Sequence, residues 1–95
     1  MDRELSKEFQ EDIKQIALSH PEVHGVHELR TRQSGTMKFI QLHIEMDEEI
    51  PLIRAHAVAD DVEDRIRKQF PDSDVIIHQD PFGHEDVPLE TKQND

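Results

Sequence analysis

The chain has 95 residues, 34% of them hydrophobic and 35% charged, with four Phe and no Trp or Tyr; that length holds one small domain with a small, mostly aliphatic core and excludes a multidomain enzyme. The 22 acidic against 11 basic side chains give a formal net charge of -11, which repels nucleic acid and anionic membrane surfaces and attracts cations. The absence of Cys removes disulfides, thiolate zinc sites, iron–sulfur clusters and Cys nucleophiles together, and leaves seven His as the compositional outlier.

From Leu5 to Leu18, apolar residues at Leu5, Phe9, Ile13, Ile16 and Ala17 recur at helical spacing among charged neighbours, which predicts an amphipathic helix ended by Pro21 and Gly25. Val26 to Arg32 has the character of a strand, and Gln33-Ser34-Gly35 supplies a turn. Ile40, Leu42, Ile44 and Met46 then alternate with Phe39, Gln41, His43 and Glu45, a strand with one apolar face. Asp47-Glu48-Glu49 and Pro51 stop it, and Pro51 fits the start of a second helix with its stripe at Ala55, Val58, Ala59, Val62, Ile66 and Phe70. After Pro71-Asp72-Ser73-Asp74, the run Val75-Ile76-Ile77-His78 reads as a strand buried on both faces. Residues 82–95 lack periodicity and are expected to form a disordered tail behind a domain of residues 1–81.

The order helix, strand, strand, helix, strand suits an α+β, two-layer sandwich of ferredoxin-like, metallochaperone-like αββαβ type. The sheet face opposite Ile40, Leu42 and Ile44 carries Met37 and Phe39, and a second copy of the chain would cover it; a homodimer is the expected assembly. The longest apolar runs, Ile16-Ala17-Leu18 and Val75-Ile76-Ile77, fall far short of the roughly 20 residues of a membrane span, and MDRELSKEFQ has no signal-peptide core. No direct membrane insertion of this chain is expected.

Metal ligands must converge, so spacing matters more than count. His78 and Asp80 leave the same side of an extended chain and can share a metal, the plainer reading being a strand-end His and a turn Asp. His27 and His43 lie on the two hairpin strands. A three-residue loop centred on Gly35 sets them directly opposite, whereas a two-residue Ser34-Gly35 loop turns them to opposite sides, and a bulge near Glu28 would reconcile the two registers. His56 with Asp60 at i+4 is either a ligand with a supporting carboxylate or a surface ion pair. His20, His24 and His84 read as exposed bystanders. No Gly-rich phosphate loop and no HExxH zinc motif occur, so acyl and phosphoryl transfer lack their usual parts and no enzyme is expected.

The strings GVHELRTRQSG, FIQLHIEM and LIRAHAVADDVEDRIRKQFPDSDVIIHQDP closely resemble the cytoplasmic C-terminal domain of cation diffusion facilitator transporters, in particular bacterial zinc and ferrous-iron efflux proteins, over residues 2–81. The resemblance implies a binuclear zinc site, two ions per subunit, on His27, His43, His78 and Asp80, with His56 near or across the dimer interface, Asp80 bridging and Gln79 supporting from behind. It implies a dimerising, metal-sensing domain on the cytoplasmic side of the bacterial inner membrane, attached to a transmembrane part that carries metal/proton antiport. All-nitrogen-and-oxygen ligation also admits iron(II), cadmium, cobalt, nickel or manganese. A freestanding metal buffer or metallochaperone and an ACT-like small-ligand module are the alternatives.

Overall fold

The computed structural model describes residues 3–83; the expected tail beyond Gly83, His84 included, lies outside the described residues. Helix α1 is Lys7–Leu18, strand β1 Gly25–Ser34, β2 Met37–Met46, helix α2 Leu52–Gln69 and β3 Ser73–Pro81, the αββαβ order the periodicity predicts. Helix α1 starts two residues beyond Leu5 because the Ser6 hydroxyl accepts the Phe9 N–H at 3.2 Å and caps it. Pro51 stands just before α2, its carbonyl accepting the Ala55 N–H at 2.9 Å.

The sheet order is β1-β2-β3, with β1 antiparallel and β3 parallel to the central β2. Along β2 the alternating residues Ile40, Leu42, Ile44 and Met46 are all buried. They form one core with Ile13 and Ala17 of α1 and Ala55, Val58, Ala59, Val62 and Ile66 of α2. Phe9 and Phe70 meet edge to face at 4.4 Å and close the far end of the two helices. Strand β3 differs from expectation: Val75 is buried but Ile76 is 51% exposed, so it has one covered face. Its apolar run is misleading because the helices lie against a single side of the sheet.

The hairpin follows neither loop considered from the sequence. Ser34 pairs with Met37, leaving Gly35-Thr36 as the loop, with Gly35 in the left-handed region at φ 61° that a side chain resists. Continued unchanged, this register would set His27 one residue out of step with His43. The ladder instead shifts between His27 and Arg30, so Glu28 and Leu29 together face Leu42 and His27 pairs with His43. The bulge expected near Glu28 is therefore present. Glu28 itself has φ 52°, a conformation costing a non-glycine residue about 1–3 kcal/mol.

At the start of β1, Gly25 pairs with Glu45, and a Cβ on Gly25 would collide with the Glu45 carboxylate. Glycine here makes room for the side chain of Glu45, a residue only 8% exposed. Gly25→Ala should therefore destabilise the fold by about 1 kcal/mol, and Glu45→Ala in the same chain should remove most of that cost. Urea denaturation of the two single mutants and the double mutant measures this; strictly additive costs would contradict it.

Candidate metal centre

The core face of β2 fixes what its other face can be. With Leu42 and Ile44 turned to the helices, His43 and Glu45 must leave the opposite side. The parallel register sets His43 beside His78 and Glu45 beside Asp80, and the bulge sets His27 beside His43. Side chains from all three strands thus meet on the outer face of the sheet.

The geometry is close. One oxygen of Asp80, Oδ2, lies 2.9 Å from His27 Nε2 and 2.8 Å from His43 Nδ1. The His27 and His43 rings are 5.0 Å apart between centroids, and His78 stacks on His43 at 4.5 Å with the planes 19° apart. Glu45 Oε2 approaches His27 Nε2 to 3.8 Å. On the far edges of the rings, Glu28 Oε2 is 3.5 Å from His27 Nδ1 and Glu28 Oε1 is 3.7 Å from His43 Nε2. His27, Glu28 and His43 bring one donor atom each to within 4.8 Å of one another, a spacing that fits a metal ion.

Three imidazoles and three carboxylates share one face of the sheet. Two carboxylate oxygens lie within 4 Å of a single nitrogen, His27 Nε2, and such crowding is relieved by a cation. The donors are nitrogen and oxygen only, a set suited to divalent zinc and its first-row neighbours and, through the carboxylates, to manganese.

Of the residues singled out from the sequence, His27, His43, His78 and Asp80 are brought together. His56 is not part of this cluster in one chain: it lies on α2, 71% exposed, 3.3 Å from Asp60 Oδ2. Gln79 leaves the strand on the side opposite its neighbours and lines a groove with Met46, Leu52 and Ala55. His24 is exposed, as expected, its ring 5.2 Å from that of Phe82. His20 differs from expectation. It is 6% exposed, its Nδ1 accepts the Glu22 N–H at 3.0 Å, and its Nε2 lies 3.4 Å from Asp61. Arg65 holds Asp61 at 2.9 Å and reaches Ser19 at 2.9 Å, so His20 joins the end of α1 to α2. Sequence reasoning misses Glu28 and Glu45, whose carboxylates lie beside these rings; the bulge expected near Glu28 is the available signal for one, and the parity shared with His43 for the other.

Residues 5–82 match the family described as the cytoplasmic domain of cation efflux proteins. Over 94 residues the chain is 52% identical to the cation-efflux pump FieF of Escherichia coli O1:K1 and to that of Shigella boydii serotype 18, covering 99% of this chain and 31% of each relative. The chain thus spans about a third of the length of these relatives. Among solved structures, the zinc form of CzrB superposes with a TM-score of 0.76 at 30% identity, over 90% of this chain and 98% of that one. A nickel form of the MamM C-terminal domain superposes at 0.75 over 80% of this chain and 98% of that one; at 22% identity it supports the fold alone. Among the described residues no helix is long and apolar enough to cross a membrane. The match over 5–82, the similarity of 99% of this chain to part of FieF and the αββαβ architecture agree, and the chain belongs to the cytoplasmic domains of cation efflux proteins.

Proposed function

We propose that this domain binds divalent metal, zinc first among the candidates, and that it serves as the dimerising, metal-sensing part of a divalent-cation efflux transporter. The observation that carries the reading is the single Asp80 oxygen held 2.9 Å from His27 Nε2 and 2.8 Å from His43 Nδ1, with His78 stacked alongside. Donor atoms so placed on three different strands leave a cation a choice of nitrogen and carboxylate ligands without rearrangement of the backbone. His27, His43, His78 and Asp80 are the proposed ligands, with Asp80 able to bridge two ions through its two oxygens and Gln79 beside it on the strand. Two zinc ions per subunit is the proposed load; iron(II), cadmium, cobalt, nickel and manganese suit the same donors.

A second copy of the chain is the proposed partner. The first turn of α2 leaves Leu52 82% and Ile53 83% exposed, and His56 lies on the same side of the helix, three to four residues on. Aliphatic side chains bare at a helix start favour burial against another surface, and His56 would then approach a metal cluster from across the interface. The relatives' greater length supports attachment to a transmembrane part, with transport by metal/proton exchange residing there and this domain on the cytoplasmic side of the bacterial inner membrane. It also favours this reading over a freestanding metal buffer.

Zinc titration by calorimetry tests the ligand set. His43→Ala, His78→Ala and Asp80→Ala should each weaken zinc binding by about 10-fold or more, and His24→Ala should leave it nearly unchanged. Equal losses in all four would mean that zinc is held diffusely by an acidic surface. In a thermal melt, zinc at a hundredfold excess over its Kd should add about 2.7 kcal/mol to stability, a melting-point rise on the order of 10 °C for a domain of this size.

Sedimentation of the metal-stripped chain at micromolar concentration addresses assembly. A dimer is expected, and Leu52→Glu together with Ile53→Glu should shift it toward monomer. A wild-type chain that sediments at 11.1 kDa would refute the preformed dimer.

A further inference from the structure

The bulge does more than restore the register. With Glu28 and Leu29 sharing one partner on β2, Leu29 packs against the core and the Glu28 carboxylate is carried onto the outer face. There it lies against the two imidazoles from the side opposite Asp80. Its two oxygens divide between the rings, Oε2 toward His27 Nδ1 at 3.5 Å and Oε1 toward His43 Nε2 at 3.7 Å. Asp80 takes the other nitrogen of each ring, His27 Nε2 and His43 Nδ1. The ring pair is bracketed by two carboxylates, and each carboxylate faces one nitrogen of each ring.

A neutral imidazole has one N–H and one lone pair. When His27 Nε2 and His43 Nδ1 carry the protons, both rings donate to Asp80 and turn lone pairs toward Glu28, at distances longer than a hydrogen bond. A cation bound on the Asp80 side requires the reverse: lone pairs on His27 Nε2 and His43 Nδ1, and protons on His27 Nδ1 and His43 Nε2. Both of those N–H groups then point at Glu28. Metal-bound histidines almost always give their second N–H to a carboxylate, a carbonyl or water, which fixes the tautomer and makes the ring a better donor to the metal.

We propose that Glu28 is the positioning residue of the metal site, a single carboxylate that accepts the second N–H of both His27 and His43 and holds their lone pairs toward Asp80. This rests on the metal reading above and extends it. Glu28 therefore favours the loaded form. Its left-handed backbone, φ 52°, is one that glycine adopts freely, so Glu28→Gly removes the carboxylate while keeping the bulge.

The test combines zinc titration, thermal melting without metal, and nitrogen-15 spectra of the histidine rings, on the whole 95-residue chain. In the wild type with zinc, the metal should sit on His27 Nε2 and His43 Nδ1, with protons on His27 Nδ1 and His43 Nε2. Glu28→Gly should weaken zinc binding by about 10-fold to 100-fold without lowering the melting point of the metal-stripped chain. Glu28→Gln, which keeps a neutral acceptor oxygen, should lose less. Wild-type zinc affinity in Glu28→Gly would overturn the proposal. So would zinc found on His27 Nδ1 and His43 Nε2, which would make Glu28 a ligand. A wild-type chain that takes up no zinc at all would defeat the metal reading itself.

Discussion

The strict alternation of the central strand governs the rest of the structure. Every second residue of β2, from Ile40 to Met46, is buried, and a slip of one position would turn this row to solvent and the polar row into the core. Each buried methylene is worth roughly 0.8 kcal/mol, so four large aliphatic side chains outweigh any preference His43 or Glu45 has for its position. The polar row is consequently fixed by the apolar one. The outer-face chemistry is set by core packing, and the neighbouring strands supply the histidines and carboxylates that complete it.

Pairing direction matters as much as face. Because β3 runs parallel to β2, the row His43, Glu45 advances in the same sense as His78, Asp80, and the imidazole pair lies beside the carboxylate pair. An antiparallel neighbour would reverse one row, and His43 and Glu45 could not both meet these partners. Parallel pairing needs a crossover of a dozen or more residues, and the 18-residue α2 provides it while covering the core. The helix that closes the hydrophobic layer is thus also what brings His78 and Asp80 to the cluster.

Helices α1 and α2, strand β2 and the apolar stripes could be read from the sequence because each repeats a period over many residues. Leu5 failed as a helix start because a single hydroxyl, that of Ser6, decided the boundary. The hairpin loop failed because Gly35 serves equally well in several turns, and only the ladder itself distinguishes Gly35-Thr36 from Ser34-Gly35. His20 is a tertiary matter: its ring nitrogen meets Asp61, more than forty residues away, and no local pattern carries that. Similarity to known domains pointed to His27, His43, His78 and Asp80 together, where residue spacing left His27 and His43 undecided. It gave no signal for Glu28 or Glu45, whose roles depend on a bulge and on a glycine.

A three-stranded sheet with helices on one side leaves its other side without a second layer, and a domain of this size buries only a modest share of its surface. Part of that bare face is covered by contacts within the sheet, such as the Arg32 guanidinium lying 4.2 Å over the Phe39 ring. At the other end, His27 from β1, His43 from β2 and His78 with Asp80 from β3 join residues that the backbone ladder already connects. Their mutual attraction is limited by the three carboxylates gathered there. A divalent cation would change the sign of that balance, since it attracts carboxylates that otherwise repel one another and ties three strands at one point. In a chain with a formal charge of -11 and a small aliphatic core, such a tie acts where apolar packing is weakest, on the solvent side of the sheet.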